Sequence, residues 1–162
     1  MPMTLRQVSA GLLPFVDVTF SSGGQTVKVH GLIDSGSPVT MITPELRDAV
    51  AMVPCKITEP IVTTGVDGQP TRMAPCVCAS VSLGTALEHT NAVGFAGLCP
   101  MMRMVGWEGT PAALIGLDWL QQPKASRSAN GGGGARHSLP ADGRLVLDFA
   151  SMSLLVVARR GA

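Results

Sequence analysis

An apolar run that stops abruptly at Asp-Ser-Gly is the feature that most constrains the fold of this chain. Residues 31–37 are Gly-Leu-Ile-Asp-Ser-Gly-Ser, and residues 113–120 are Ala-Leu-Ile-Gly-Leu-Asp-Trp-Leu. An apolar run bounded by turn residues predicts a strand that enters the core. The sequence therefore predicts a carboxylate, Asp34, held by a tight turn at the end of a buried strand. A second buried strand ends at Gly116 and is followed by a short helix.

The rest of the chain alternates in the manner of strands and is punctuated by glycines, which predicts an all-β fold with one or two short helices. A hairpin turn is predicted at residues 21–24, and a helix start at Thr43, with Thr as N-cap and Pro44 at the first helical position. The predicted strands cover residues 15–20, 25–33, 39–42, 61–70 with a glycine-bearing turn, 73–83, 86–95, 144–149 and 154–157.

The length of 162 residues predicts one domain, which we place at residues 12–160. Residues 123–142 show no apolar periodicity and include four consecutive glycines. We interpret this segment as a flexible surface insertion, because a longer loop adds little closure entropy. The two strands predicted after it form a closing hairpin.

Composition restricts the possible partners of the chain. The net charge is +1, and no basic run is longer than residues 159–160, so neither nucleic acid nor an anionic membrane is an expected partner. A hydrophobic content of 46% with only 14% charged residues leaves apolar surface to bury, which predicts a homodimer. The first residues lack the apolar core of a signal peptide, so a cytoplasmic location is expected.

The cysteines and histidines form no pattern that predicts a metal site or a cofactor. Cys76 and Cys78 are one residue too close for a zinc knuckle and are interpreted as buried apolar residues of one strand face. His89 follows Glu88 on an alternating strand and is expected on a solvated face, with a catalytic base as the lesser alternative. The methionines at 101–104 are expected to fill a core or an interface, with an apolar substrate groove as the alternative.

Taken together, the Asp-Ser-Gly turn, the Ser-Pro-Val-Thr-Met-Ile that follows it and the later Leu-Ile-Gly-Leu-Asp-Trp-Leu resemble the retropepsin-like aspartic proteases. The resemblance covers roughly residues 14–120 and resumes in the closing hairpin. It is greatest for the ubiquitin-shuttle (DNA-damage-inducible) and bacterial branches. It implies a barrel with one lobe per chain, a homodimer, no cofactor, and endopeptidase activity on extended peptides.

A single Asp-Ser-Gly per chain has a chemical consequence for such an enzyme. Hydrolysis of a peptide bond by carboxylates needs one general base and one general acid, so the second carboxylate must come from the Asp34 of a twofold-related copy. Two carboxylates sharing one proton predict a bell-shaped, acid-shifted activity profile. The resemblance gives Ser35 and Gly36 the support of the active-site loop, and Ile115 and Gly116 the packing against it.

Residues 64–68 fall about thirty positions after Asp34, where the family carries a hairpin flap that closes over substrate. The resemblance therefore assigns Gly65, Val66, Asp67 and Gly68 to substrate binding, with an ordinary hairpin as the alternative. Asp118 is interpreted as a helix-start or structural residue, with catalysis as the lesser alternative, because it lies past the glycine of its motif.

The sequence departs from the family at several positions. Ser35 replaces the commoner threonine, Pro38 stands where retroviral enzymes carry a substrate-binding acid, and the chain contains no tyrosine. The missing acid at 38 and the insertion at 123–142 leave a second function open. In that alternative the chain is a catalytically weak or inactive module that keeps the fold to dimerise or to bind peptides.

Overall fold

The computed structural model describes residues 3–8, 11–64, 68–84, 87–120, 143–148 and 153–158. Strands dominate this part of the chain, and the three helices are short. The strands are β1 Thr4–Val8, β2 Gly11–Ser22, β3 Gln25–Ile33, β4 Met41–Ile42, β5 Val53–Pro54, β6 Ile61–Thr64, β7 Pro70–Leu83, β8 Leu87–Ala96, β9 Ala113–Ile115, β10 Gly143–Asp148 and β11 Ser153–Ala158. The helices are α1 Pro44–Ala49, α2 Pro100–Met104 and α3 Leu117–Leu120.

Six strands form a closed barrel in the order β2-β3-β9-β4-β8-β7, and the ring closes because β7 also pairs with β2. Strands β1 and β5 extend the sheet at β2 and β7, and β6 forms a hairpin with β7. The predicted all-β barrel is confirmed. One helix more than predicted is present, because Pro100 starts α2 within a stretch that has no strand or helix periodicity.

The β2–β3 hairpin shows how local sequence sets the register of the barrel. Gly23 and Gly24 both have positive φ, 55° and 78°, as a tight two-residue hairpin turn requires. The pairing runs without interruption from Ser22↔Gln25 to Phe15↔Leu32. The predicted turn therefore fixes the register that carries β3 into the core.

Helix α1 begins as the sequence predicts. Thr43 is the N-cap, and its hydroxyl accepts a hydrogen bond from the Leu46 N–H at 3.3 Å. The same hydroxyl donates to the Thr110 carbonyl at 2.8 Å and accepts from the Ala112 N–H at 3.0 Å. Thr43 thus ties the start of α1 to the segment that leads into β9.

Two apolar clusters fill the barrel and its mouth. The first includes Val16, Val18, Phe20, Ile42 and Leu46, all at most 1% exposed. The second, near the end of β3, includes Phe15, Leu32, Met73, Met102 and Leu114. The four cysteines are free and buried, as expected for Cys76 and Cys78.

The prediction for His89 is wrong. Its side chain is 4% exposed, packs at 5.9 Å against the Trp119 ring, and bonds through Nε2 to the Trp119 carbonyl at 3.0 Å. The buried face of β8 carries residues 87 and 89, and Glu88 alone of these three residues is exposed. An aromatic neighbour from a distant helix, which alternation cannot reveal, makes the inner face the better place for the imidazole.

Strands β10 and β11 pair with each other from Gly143↔Ala158 to Asp148↔Ser153, which is the predicted closing hairpin. The predicted insertion at 123–142 lies outside the described residues, and the domain bounds of 12–160 stay a prediction. Among the described residues, no helix has the length and apolar character needed to cross a membrane.

Candidate active site at the end of β3

Asp34 follows the last residue of β3, where that strand lies parallel to β9. The two strands pair at Leu32↔Leu114 and Ile33↔Ile115. The Asp34 N–H then donates to the Ile115 carbonyl at 3.0 Å, so the backbone of Asp34 is held by the second apolar motif. The two sequence motifs, some eighty residues apart, therefore meet at this carboxylate.

A tight turn orients the Asp34 side chain. The Gly36 N–H donates to Asp34 Oδ1 at 2.9 Å, and the Ser37 N–H donates to the Asp34 carbonyl at 3.2 Å. The bond from the Gly36 N–H fixes one oxygen of the carboxyl group. Ser35 is exposed at the tip of this turn.

Gly116 allows the second motif to lie against the first. A Cβ at this position would lie 2.3 Å from the Val39 carbonyl oxygen, so no side chain fits. The Gly116 N–H donates to Thr40 Oγ1 at 3.0 Å, and the Leu117 N–H donates to the Ser37 carbonyl at 2.9 Å. Residues 115–117 therefore hold the Asp34 loop at Asp34, Ser37 and Thr40.

Asp118 lies close to this brace but is used differently. Its Oδ1 accepts from the Thr40 hydroxyl at 2.7 Å and from the Trp119 N–H at 2.9 Å. Burial raises the pKa of the Asp118 carboxyl above its ordinary value, although the bonds from Thr40 and Trp119 oppose the rise. Asp118 therefore acts as an acceptor that connects the Asp34 loop to α3.

Asp34 opens onto a cleft of about 220 Å³. Asp34 is the sole carboxylate among the described residues that line it. The walls are mostly apolar or sulfur-bearing. They comprise Gly36, Ser37, Pro38, Met41, Thr63, Thr64, Cys99, Pro100, Met101 and Leu114.

The β6–β7 hairpin supplies one wall of this cleft. It pairs from Ile61↔Met73 to Thr64↔Pro70, and Thr63 and Thr64 face the Asp34 cleft. Gly68, in the connecting loop, has a φ of 71°. Gly65, Val66 and Asp67 lie outside the described residues, so their contact with substrate stays a prediction.

Several residues that line the cleft or support the Asp34 loop did not stand out in the sequence. In the sequence, Met101 was marked only as one of the methionines at 101–104. Its neighbour Met102 does not line the cleft and is fully buried in the core. Cys99 is 3% exposed, and burial raises the pKa of its thiol, with a smaller contribution from the charge of Asp34. Thr40, fully buried, lay in an apolar run with no mark of its role.

Among the described residues, no group of three or more histidine, cysteine, aspartate or glutamate side chains is placed to hold a metal ion. The cleft itself presents a partly exposed carboxylate with one oxygen fixed by a backbone N–H.

No model of a known protein family and no curated protein matches the chain. Among solved structures, it is similar to a retropepsin-like aspartic protease from Rickettsia conorii. The two share 18% sequence identity over 74% of this chain and 82% of that chain, with a TM-score of 0.42. A similarity at this level assigns no residue roles, and membership of the ubiquitin-shuttle or bacterial branches stays a prediction.

Proposed function

We propose that the chain is an aspartic endopeptidase that acts as a homodimer, with one Asp34 from each subunit. The observation that supports this most is the setting of Asp34. It lines an open cleft, its Oδ1 is held by the Gly36 N–H, and no other described residue of that cleft carries a carboxylate. A carboxylate held by a backbone N–H at a mostly apolar cleft is suited to chemistry.

The homodimer follows from the number of carboxylates. Peptide hydrolysis needs a base to take a proton from water and an acid to protonate the departing nitrogen. In the proposed dyad, the ionised Asp34 takes the water proton while the protonated Asp34 of the second subunit donates to the amide nitrogen. The two carboxylates share one proton in the resting state because two like charges in contact do not both ionise.

The shape of the cleft fits an extended peptide. One wall is the β6–β7 hairpin, and the others present apolar side chains, among them Met41, Met101 and Leu114. Backbone groups of a hairpin bond well to an extended chain, and methionine adapts to varied apolar side chains. We propose that residues 65–68, which the resemblance assigns to the flap, bind the substrate.

In the same proposal, Ser35 and the β10–β11 hairpin belong to the subunit interface. Ser35 is exposed at the tip of the active-site turn, where its hydroxyl would bond across a twofold axis. The apolar strands β10 and β11 would contribute surface for burial between subunits.

The first test is Asp34→Asn, assayed on a proteome-derived peptide library across pH. We expect cleavage to fall by about 10³-fold or more, because the amide can neither take nor supply the proton. The matched control is Asp48→Asn, the same change at an exposed carboxylate of α1 outside the cleft. Cleavage that survives in Asp34→Asn would overturn the mechanism. Peptide binding without cleavage in the unaltered chain would favour the inactive module.

The second test addresses the shared site by mixing subunits. With a tenfold excess of Asp34→Asn chains, activity should fall by about tenfold, because most unaltered chains then pair with an inactive partner. Activity per chain should also fall on dilution. Sedimentation that shows a monomer at micromolar concentration, even with a peptide inhibitor, would contradict the dimer.

A further inference from the structure

A second and larger cleft, of about 350 Å³, lies beside β3 and shares no lining residue with the Asp34 cleft. Four consecutive strand residues, Val27 to His30, line it. Successive side chains of a strand point to opposite faces of the sheet, so a cleft that touches all four lies against the edge of the strand. The cleft therefore exposes the backbone of β3 as well as its side chains.

The pairing of β3 shows that this edge is open. On one side β3 pairs with β2 from Gln25 to Leu32, but on the other it pairs with β9 only at Leu32 and Ile33. Within the described parts of the chain, no strand lies beside residues 25–31 on the β9 side. Unpaired backbone groups in a row are a template for an added strand.

The segment that precedes β9 forms the opposite wall without closing the gap. Its residues Thr110 and Ala112 bond to Thr43, at the start of α1, through three hydrogen bonds of 2.8 to 3.0 Å. These bonds direct the backbone of the segment towards α1 and away from β3. The space between Pro111 and the β3 edge is thereby held open by the fold itself.

The rim of this cleft is basic. Arg6 and Lys28 line it, and neither takes part in the two ion pairs found among the described residues. The third basic group, His30, already contacts Asp17 at 2.9 Å. At one end, the Arg6 guanidinium lies 5.1 Å over the Phe15 ring, which packs edge-on against Trp107 at 6.0 Å.

We propose that this cleft binds an extended acidic peptide segment of a partner protein, which adds as a strand to the open edge of β3. The backbone of the segment bonds to residues 27–30, and its carboxylates face Arg6 and Lys28. Its apolar side chains pack against Val27, Val29 and Trp107. The insertion of this chain itself is a poor occupant, because residues 123–142 hold three lysine or arginine residues, one histidine and one acid.

The test uses the Asp34→Asn protein, so that no peptide is cleaved, and a fluorescein-labelled peptide of alternating Glu and Val. Fluorescence anisotropy should show saturable binding that weakens with added salt, whereas a Lys-Val peptide should not bind. Lys28→Glu should weaken binding about fivefold, and Arg6→Glu with Lys28→Glu about twentyfold. Lys56→Glu, at an exposed lysine outside this cleft, is the matched control and should leave binding unchanged.

A separate binding measurement tests whether the peptide adds to β3 as a strand. A Glu-Val peptide that is N-methylated at alternate residues keeps its charges but loses backbone donors, and should bind about tenfold more weakly. Circular dichroism and the melting temperature establish that each variant is folded. Equal loss in the Lys28 and Lys56 variants, equal binding of the Lys-Val peptide or of oligothymidylate, or no binding at millimolar peptide would overturn the proposal. Full binding of the N-methylated peptide would overturn strand addition.

Discussion

Asp34 and Asp118 lie near the ends of two paired parallel strands, yet their surroundings differ. Asp34 follows β3 directly and lines an open cleft, and a single N–H holds its Oδ1. The residue of the second motif that corresponds to Asp34 is Gly116, which has no side chain. Asp118 lies two residues further along the chain, and its Oδ1 accepts two hydrogen bonds. One carboxylate faces an open cleft, and the other faces its own chain.

The difference shows that position after an apolar strand does not by itself place an acid at an open cleft. The carboxylate of Asp118 connects the Thr40 hydroxyl to the first turn of α3, and through Thr40 it reaches Gly116. That connection keeps the two motifs in contact, and the contact in turn keeps Asp34 in place. Asp118 thus helps to hold Asp34 in position through Thr40 and Gly116.

The largest effect on stability should follow from Thr40→Val, which keeps the shape of the buried side chain. It leaves the Asp118 carboxylate without one donor and the Gly116 N–H without its acceptor. Two groups that lose their partners inside the protein should cost about 2–4 kcal/mol in the free energy of unfolding, measured by urea denaturation. The control is Thr26→Val, whose hydroxyl bonds at the surface to Ser21. Equal losses in the two variants would show that Asp118 and Thr40 form no brace.

The next effect is a change in the pH dependence of stability caused by Asp118→Asn. Burial raises the pKa of Asp118 in the folded chain above its ordinary value of 3.8, so the folded state holds this proton more tightly than the unfolded chain. The stability that this group contributes is full below the unfolded pKa and is lost as the pH rises through the folded pKa. The asparagine still accepts from Thr40 and Trp119 but does not ionise.

Unfolding curves from pH 3 upwards should therefore show the unaltered chain losing stability relative to Asp118→Asn as the pH rises through that window. Asp118→Asn should also keep most of the proposed peptidase activity, in contrast to Asp34→Asn. Parallel stability curves, or activity as low as that of Asp34→Asn, would remove the distinction drawn between the two carboxylates.

The smallest effect should come from blocking the thiol beside Asp34. Because burial raises the pKa of Cys99, little thiolate is present near neutral pH, and iodoacetamide should react slowly. Over the time that fully alkylates free cysteine, activity should change by less than about twofold. Mass spectrometry of the Cys99 peptide measures the reaction, with Cys99→Ala as the control. Rapid alkylation with loss of activity would give the cleft a nucleophile other than the proposed water.

Much of the fold was predictable because it rests on local chemistry. The paired glycines at 23–24 require a tight turn, Thr43 and Pro44 specify a helix start, and the apolar run before Asp34 requires burial. His89 and Thr40 were not predictable in this way. His89 is buried against the Trp119 ring, and Thr40 bonds to Asp118 and Gly116. These partners are all far away in the sequence.

The sequence by itself determined that a carboxylate ends a buried strand and that the chain is mostly β. Both follow from periodicity and turn chemistry, which need only neighbouring residues. Only the tertiary structure decided that Asp34 rather than Asp118 faces a cleft, and that β3 has an open, basic edge. The first outcome depends on which distant groups donate hydrogen bonds to each carboxylate, and the second on where the pairing of β9 with β3 ends. Both require contacts in space between residues that are far apart in the sequence.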